Sequence, residues 1–170
     1  NPLKVKRWII DELEASMLLY FTGRSRSSAA IIDEQKKNTS TGNTLAIEAM
    51  HRIKQSAIDM KLAVLKGDMA AFAQILGKGW EDKKKMAGAI SNPMIQEAFD
   101  VATTAGAIAG KVSGAGGGGF IMFFVEPTRK KEVINALRKL DGFVMPFNFT
   151  EGGAHGWKIY PTDKVSTLSK

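Results

Sequence analysis

The ten residues Lys111-Val-Ser-Gly-Ala-Gly-Gly-Gly-Gly-Phe120 contain five glycines: Gly114, Gly116, Gly117, Gly118 and Gly119. Such a run loses more conformational entropy on folding than any other composition, so its order needs a cause. A flexible linker is one reading. The flanks argue for another, because strand-like Ile108–Ser113 enters the run and very apolar Phe120–Val125 leaves it. Both flanks suit one core, which makes the run a loop inside a domain. Successive amides at positive φ can form a concave nest for phosphate oxygens, with glycine where a Cβ would clash. Gly114 to Gly119 also satisfies G-x-G-x-x-G, but that fingerprint must open a helix, and here a strand follows. Gly106 to Val112 misses a P-loop by one residue and by Val112 in place of Ser or Thr.

Working outward, Val5–Ile10 and Ser16–Thr22 read as two strands, with Asp11 and Glu12 as a short turn between them. Ser25 is a candidate N-cap for a helix running to about Lys37, and 38–43 reads as a polar loop. A long helix follows, with Ala46, Ala49, Met50, Ile53, Ala57, Met60 and Val64 at three- and four-residue spacing. Asp68 is read as the cap of a helix faced by Met69, Phe72, Leu76 and Trp80. Asn92-Pro93 starts another: a side-chain cap, then a residue without an amide hydrogen. After the strand Phe120–Val125, Thr128 is expected to cap a helix that turns Val133, Ile134, Leu137 and Leu140 inward. Two last strands are expected at about Gly142–Phe149 and Ala154–Tyr160. This order does not alternate βαβα; it predicts an α+β fold, an antiparallel sheet with helices packed on one face.

The 170 residues, 44% hydrophobic and 24% charged, are enough for one domain with a real core. No apolar run reaches the roughly 18–20 residues that cross a bilayer. The chain has no cysteine, which excludes disulfides and thiolate chemistry and fits a reducing, cytoplasmic location. The net charge of +7 favours anionic partners without choosing among them.

Lys111–Phe120 resembles the third, C-terminal glycine motif of the galactokinase–homoserine kinase–mevalonate kinase–phosphomevalonate kinase (GHMP) superfamily. Tyr20-Phe-Thr-Gly-Arg-Ser-Arg-Ser-Ser-Ala29, Lys111–Phe124 and Glu151-Gly-Gly-Ala-His-Gly-Trp157 look most like D-glycero-D-manno-heptose 7-phosphate kinases. The resemblance implies that residues 1–170 are one GHMP kinase C-terminal domain, ferredoxin-like, with the ATP-loop domain outside this chain. It implies transfer of the ATP γ-phosphate, with Mg, to the anomeric hydroxyl of the heptose phosphate for surface polysaccharide. The implied partners are a sugar phosphate, ATP and an N-terminal half of the same protein, with no membrane partner.

The family's loop Pro-x-x-x-Gly-Leu-Gly-Ser-Ser-Ala and its catalytic aspartate occur nowhere here, so no catalytic residue carries over. What carries over is the loop Gly114, Ala115, Gly116, Gly117, Gly118 and Gly119 as the nucleotide-phosphate contact, with Lys111 adding charge. Valine at Gly116 or Gly117 is accordingly expected to damage turnover far more than melting temperature.

Gly23-Arg-Ser-Arg-Ser-Ser28 lies between a strand and a helix, where unpaired amides and a partial positive charge favour anions. Arg24, Ser25 and Arg26 are therefore candidate contacts to the sugar phosphate, since guanidinium donates two parallel bonds to phosphate oxygens. The same residues could instead cap the helix and face water. His51 and His155 read as surface and turn residues, with no metal ligands among them. Lys83–Lys85 and Arg129–Lys131 read as solubilising surface.

Two other functions compete. A nucleic-acid-binding module would use Phe120, Phe123 and Phe124 to stack bases, although both faces of that strand are apolar. A non-catalytic ligand-binding domain would reuse the kinase fold.

Overall fold

The computed structural model describes residues 3–24, 28–150 and 152–157. In chain order the elements begin with α1 (Arg7–Ser16), β1 (Met17–Phe21), α2 (Ser28–Ser40), α3 (Thr44–Lys66) and α4 (Met69–Lys84). They continue with α5 (Pro93–Thr104), β2 (Ala107–Val112), β3 (Phe120–Val125), α6 (Lys130–Leu137) and β4 (Phe143–Met145). Short 3-10 turns at Gly88–Ile90 and Pro127–Arg129 lead into α5 and α6.

Alternation along β3 sends Ile121, Phe123 and Val125 to one face and Met122 and Phe124 to the other. β3 is an inner strand of a four-stranded antiparallel sheet ordered β2-β3-β1-β4. The first face joins Leu18 and Tyr20 of β1 to Ile95 and Ala98 of α5 and to Val133 and Leu137 of α6. Trp80 closes this core, stacked 5.4 Å from Phe99. The antiparallel α+β fold, with α5 and α6 on one face, is the one expected. A smaller cluster lies behind the sheet, where Phe124 and Met17 meet Ile9 and Leu13 of α1 and Ala73 and Leu76 of α4.

Two expected helix starts are present. The Asp68 carboxylate accepts from the Ala71 amide at 2.9 Å, and the Asn92 side-chain oxygen accepts from the Ile95 amide at 3.0 Å. Each satisfies an amide that the first helical turn leaves without a partner.

Other expectations are corrected. Val5–Ile10 is not a strand, because Arg7–Ser16 is helical and Ile9, Leu13 and Ser16 fall on one buried face. The run Trp8-Ile9-Ile10 imitates a strand in composition, but burial recurs every three to four residues. Arg7 and Asp11, one turn apart, pair at 2.7 Å where a turn was expected. Thr128 does not cap α6; it lies in the 3-10 turn Pro127–Arg129, and α6 begins at Lys130 without a side-chain cap. Of the expected strand 142–149, only Phe143–Met145 pairs, with β1. Residues 154–157 form no strand, and 158–160 lie outside the described residues, as do Ser25 with its capping role and Arg26. Lys130 is not merely surface either. Its ammonium donates to the carbonyls of Glu14 at 3.1 Å and Ala15 at 2.8 Å, which satisfies the end of α1, and burial lowers its pKa.

Asp82 near the end of α4 is buried, and it accepts from Arg52 at 2.8 Å and Lys85 at 3.1 Å. Burial alone would raise its pKa, but the hydrogen bonds from Arg52 and Lys85 outweigh burial and hold the carboxyl below its usual value. A depressed carboxyl contributes stability that is present above the unfolded value, about 3.9, and is lost as pH falls through the folded one. Removing the α3 partner with Arg52→Met should therefore move acid unfolding to higher pH. An acid midpoint unchanged from the parent would count against this role for the pair.

Candidate functional site

The glycine loop between β2 and β3 is built into the fold at several points. The Gly117 amide donates to the carbonyl of Ile90 at 2.8 Å, and the Asn92 side-chain amide donates to the Gly117 carbonyl at 3.0 Å. Asn92 thus holds the loop with one end of its side chain while capping α5 with the other. The Gly119 amide donates to the Arg24 carbonyl at 2.8 Å and to the Thr22 hydroxyl at 3.1 Å. Thr22 is buried and returns its own amide to the Gly119 carbonyl at 2.9 Å.

The reason for glycine is clearest at Gly116 and Gly118. Gly116 has φ +111°, and a Cβ there would sit 2.7 Å from the Ile90 carbonyl oxygen. Gly118 has φ +152°, and a Cβ would sit 2.7 Å from the Arg24 carbonyl oxygen. What the loop approaches so closely is the protein's own backbone. Gly116, Gly117 and Gly118 are buried, while Ser113 and Gly114 form an exposed lip. Among the described residues, the amides of Ala115, Gly116 and Gly118 have no hydrogen-bond partner, so the loop retains donors that could meet an anion.

Behind the loop, Glu34 of α2 accepts from the amides of Gly88 at 2.8 Å and Ala89 at 3.4 Å. This steadies the turn whose last residue, Ile90, receives the loop. Sequence reasoning had assigned Glu34 no role.

A cavity of about 620 Å³ opens beside the Thr22–Arg24 turn, with Tyr20 and the first turn of α5 in its wall. Arg24, Lys139, Glu97 and Asp141 bring two cations and two carboxylates to its lining. The Tyr20 hydroxyl accepts from the Gly142 amide at 3.0 Å, fixing the wall where β1 meets the end of α6. Burial raises the Tyr20 pKa; the Gly142 bond lowers it, and the Asp141 and Glu97 charges raise it further. The tyrosine therefore stays protonated at neutral pH. Lys139, Glu97 and Asp141 escaped sequence reasoning, since nothing in their local spacing points to a shared cavity.

Arg24 and the glycine loop are thus brought together, by the Arg24 backbone. Lys111 lies elsewhere. Val112, Ile121 and Tyr20 align across the strands on the major-core face, so Lys111, beside Met122 and Leu19, projects from the other face. It lines a separate groove of about 210 Å³ with Lys83. His51 and His155 are both exposed, and the described residues contain no cluster of acidic and histidine side chains able to hold a metal ion. The aromatics that a base-stacking surface would need are occupied: Phe123 and Phe124 are buried, and the Phe120 ring lies 5.0 Å from Phe21. No helix among the described residues is long and apolar enough to cross a membrane.

Comparison with known proteins agrees with this fold. Over 159 residues the chain is 46% identical to a protein of Campylobacter jejuni named D-glycero-alpha-D-manno-heptose 7-phosphate kinase, covering 94% of this chain and 46% of that protein. It is 28% identical over 121 residues to L-fucokinase/L-fucose-1-P guanylyltransferase of Bacteroides fragilis, covering 68% of this chain and 13% of that one. A crystal structure described as a D-glycero-D-manno-heptose 1-phosphate kinase from Bacteriodes thetaiotaomicron superposes with TM-score 0.63 and 59% identity. The superposition spans 94% of this chain and 41% of that one. The chain therefore spans less than half the length of these relatives. Residues 60–141 match the family described as GHMP kinases C terminal, so this part of the chain is a GHMP kinase C-terminal domain, and the heptose phosphate kinases are similar to the chain across 94% of it.

Proposed function

We propose that this chain is the C-terminal part of an ATP-dependent kinase acting on the anomeric hydroxyl of D-glycero-D-manno-heptose 7-phosphate. The identity of 46% across nearly the whole chain to the Campylobacter heptose phosphate kinase carries the reading. The cavity beside the glycine loop supports it. Arg24, with Lys139 in the same lining, would grip the phosphate already on the sugar, as a charge-assisted contact of the kind guanidinium favours. Glu97 and Asp141 would accept from sugar hydroxyls. Ser25 and Arg26 belong to the same proposed contact. The loop Gly114 to Gly119 would meet the nucleotide phosphates through the amides it has not already committed, those of Ala115, Gly116 and Gly118, with Lys111 as a more distant charge.

The sugar oxygen would attack the γ-phosphorus while its bond to the β-phosphate oxygen breaks, so that ADP leaves and the hydroxyl proton passes to a base. The ATP loop, the catalytic base and any magnesium ligands would come from the other part of the protein. Among the described residues no three acidic or histidine side chains cluster, so magnesium would be held chiefly by the phosphates and by that other part. A cytoplasmic location accompanies this reading.

Phosphoryl transfer rests on several parts acting at once, so the 170 residues alone should transfer no phosphate while the whole protein does. The test incubates each with ATP, magnesium and either heptose 7-phosphate or heptose 1-phosphate, the two sugars named among its relatives. Bisphosphate formed from the 7-phosphate by the whole protein is the expected result. Turnover by the isolated chain at an enzymatic rate, or none by the whole protein with either sugar, would overturn it.

A further inference from the structure

On the sheet face opposite Tyr20, Lys83 of α4 and Lys111 of β2 line one groove. Lys83 is half-buried rather than a solvated end of its helix. Its ammonium donates to the Gly114 carbonyl and, at 3.5 Å, to the Val112 carbonyl. Neither lysine has an ion-pair partner among the described residues. On α4 itself, Glu81 pairs with Lys84, and Asp82 is turned to Arg52 and Lys85. The part of α3 lining the groove offers only Ile53, Ser56, Ala57 and Met60. Lys111 on β2 is the other charge facing it.

A cation placed where desolvation and a like charge both oppose it has to be explained by what it holds. Here it holds the carbonyl of Gly114, a residue at φ +71° immediately before Ala115, Gly116 and Gly118 with their unpartnered amides. Fixing one carbonyl of a glycine run fixes the peptide plane it belongs to, and hence the direction of the following amide.

We propose that Lys83 is a positioning residue of the nucleotide site: it clamps the Gly114 carbonyl, so that the loop presents its amides in one arrangement. This rests on the reading that the loop receives nucleotide phosphate. Burial, then the neighbouring charge of Lys111, lowers the Lys83 pKa to about 8. The clamp is therefore charge-assisted below that pH, and weaker, from a neutral amine, above it. The stability sign is opposite. Between about 8 and the unfolded value of about 10.4, the unfolded chain binds the extra proton, so this group makes stability rise with pH. Loss of activity without loss of fold in that window separates a positioning role from a structural one.

The experiment uses Lys83→Met and Lys83→Arg in the whole protein. Amide hydrogen exchange without ligand at Ser113 and Gly117, the bonded amides on either side of the clamped carbonyl, tests the clamp: Lys83→Met should speed it by about tenfold, since a hydrogen bond to a charged group is being lost. Kinetics test the consequence: KM for ATP should rise about tenfold in Lys83→Met, with KM for the sugar within about twofold. Parent kcat/KM for ATP should fall through pH 8, Lys83→Met should lose that limb, and Lys83→Arg should keep near-parent kinetics and shift the limb upward. Unchanged exchange overturns the clamp. Faster exchange with unchanged ATP kinetics overturns the positioning role. Faster exchange in a whole protein that transfers no phosphate leaves the clamp standing and removes the kinase reading instead.

Discussion

Gly116→Val should cost about 3 kcal/mol or more, enough to unfold a marginal domain. Three effects combine at that residue. A side chain at φ +111° costs about 1–3 kcal/mol in backbone strain alone. Its Cβ would lie 2.7 Å from the Ile90 oxygen and 3.0 Å from the Ile90 Cα, atoms of a fully buried residue that cannot give way like a side-chain tip. Movement to relieve the contact would also break the Gly117–Ile90 hydrogen bond, worth about 1 kcal/mol net. Gly114→Ala is the control, because its Cβ would meet nothing within 4 Å; only the left-handed φ opposes it, at about 1–2 kcal/mol. Thermal or urea unfolding of the two variants measures the difference, and equal destabilisation would refute the packing account. The expectation that valine at Gly116 damages turnover far more than melting temperature is revised on this geometry: both should fall. Gly114 and Gly119, with open space around them, are the better places to ask whether the loop meets phosphate.

In the whole protein, Arg24→Ala should reduce kcat/KM for the phosphorylated sugar about ten- to hundred-fold. Little should change for the unphosphorylated sugar, so the preference between them should collapse. The substitution is a clean one. The Arg24 side chain is exposed, while its carbonyl keeps the bonds from Gly119 at 2.8 Å and from the Thr22 hydroxyl at 3.0 Å. Truncation therefore removes a charge from the cavity without moving the loop. KM for ATP should stay near the parent value, which separates this effect from that of Lys83. Arg26→Ala and Lys139→Ala belong in the same assay. An unaltered preference in all three would assign phosphate selectivity to the rest of the protein.

Local rules carried much of the fold. Phe120–Val125 is bounded as its composition predicts, and Asp68 and Asn92 cap where a short polar side chain precedes an apolar periodicity. The α1 segment was misread because Trp8, Ile9 and Ile10 favour strands intrinsically, while its helical face is completed only by packing against Phe124 and Leu76. The loop could be read as a place of close approach, but what it approaches could not. Ile90, Asn92, Thr22 and Arg24 come to it from distant parts of the chain, and no spacing rule links them. Lys83 and Lys130 were hidden for a related reason. In sequence each stands in a basic run that looks solvated; in space each ammonium meets backbone carbonyls at the end of an element.

The bond from Gly119 to Thr22 joins residues 97 positions apart. Closing so long a segment must precede any reward from the contacts it makes, so loop formation waits on a slow entropic search. During synthesis β1 emerges before α2 to α5, and its β3 partner follows only after all of them. Until then β1 holds unpaired strand edges, and the helices can form locally around an unfinished sheet. The glycine loop becomes ordered only when both strands and the Ile90 turn are in place. Competence for ligand would thus appear late and all at once, and a chain arrested before β3 would have helices but no loop to offer.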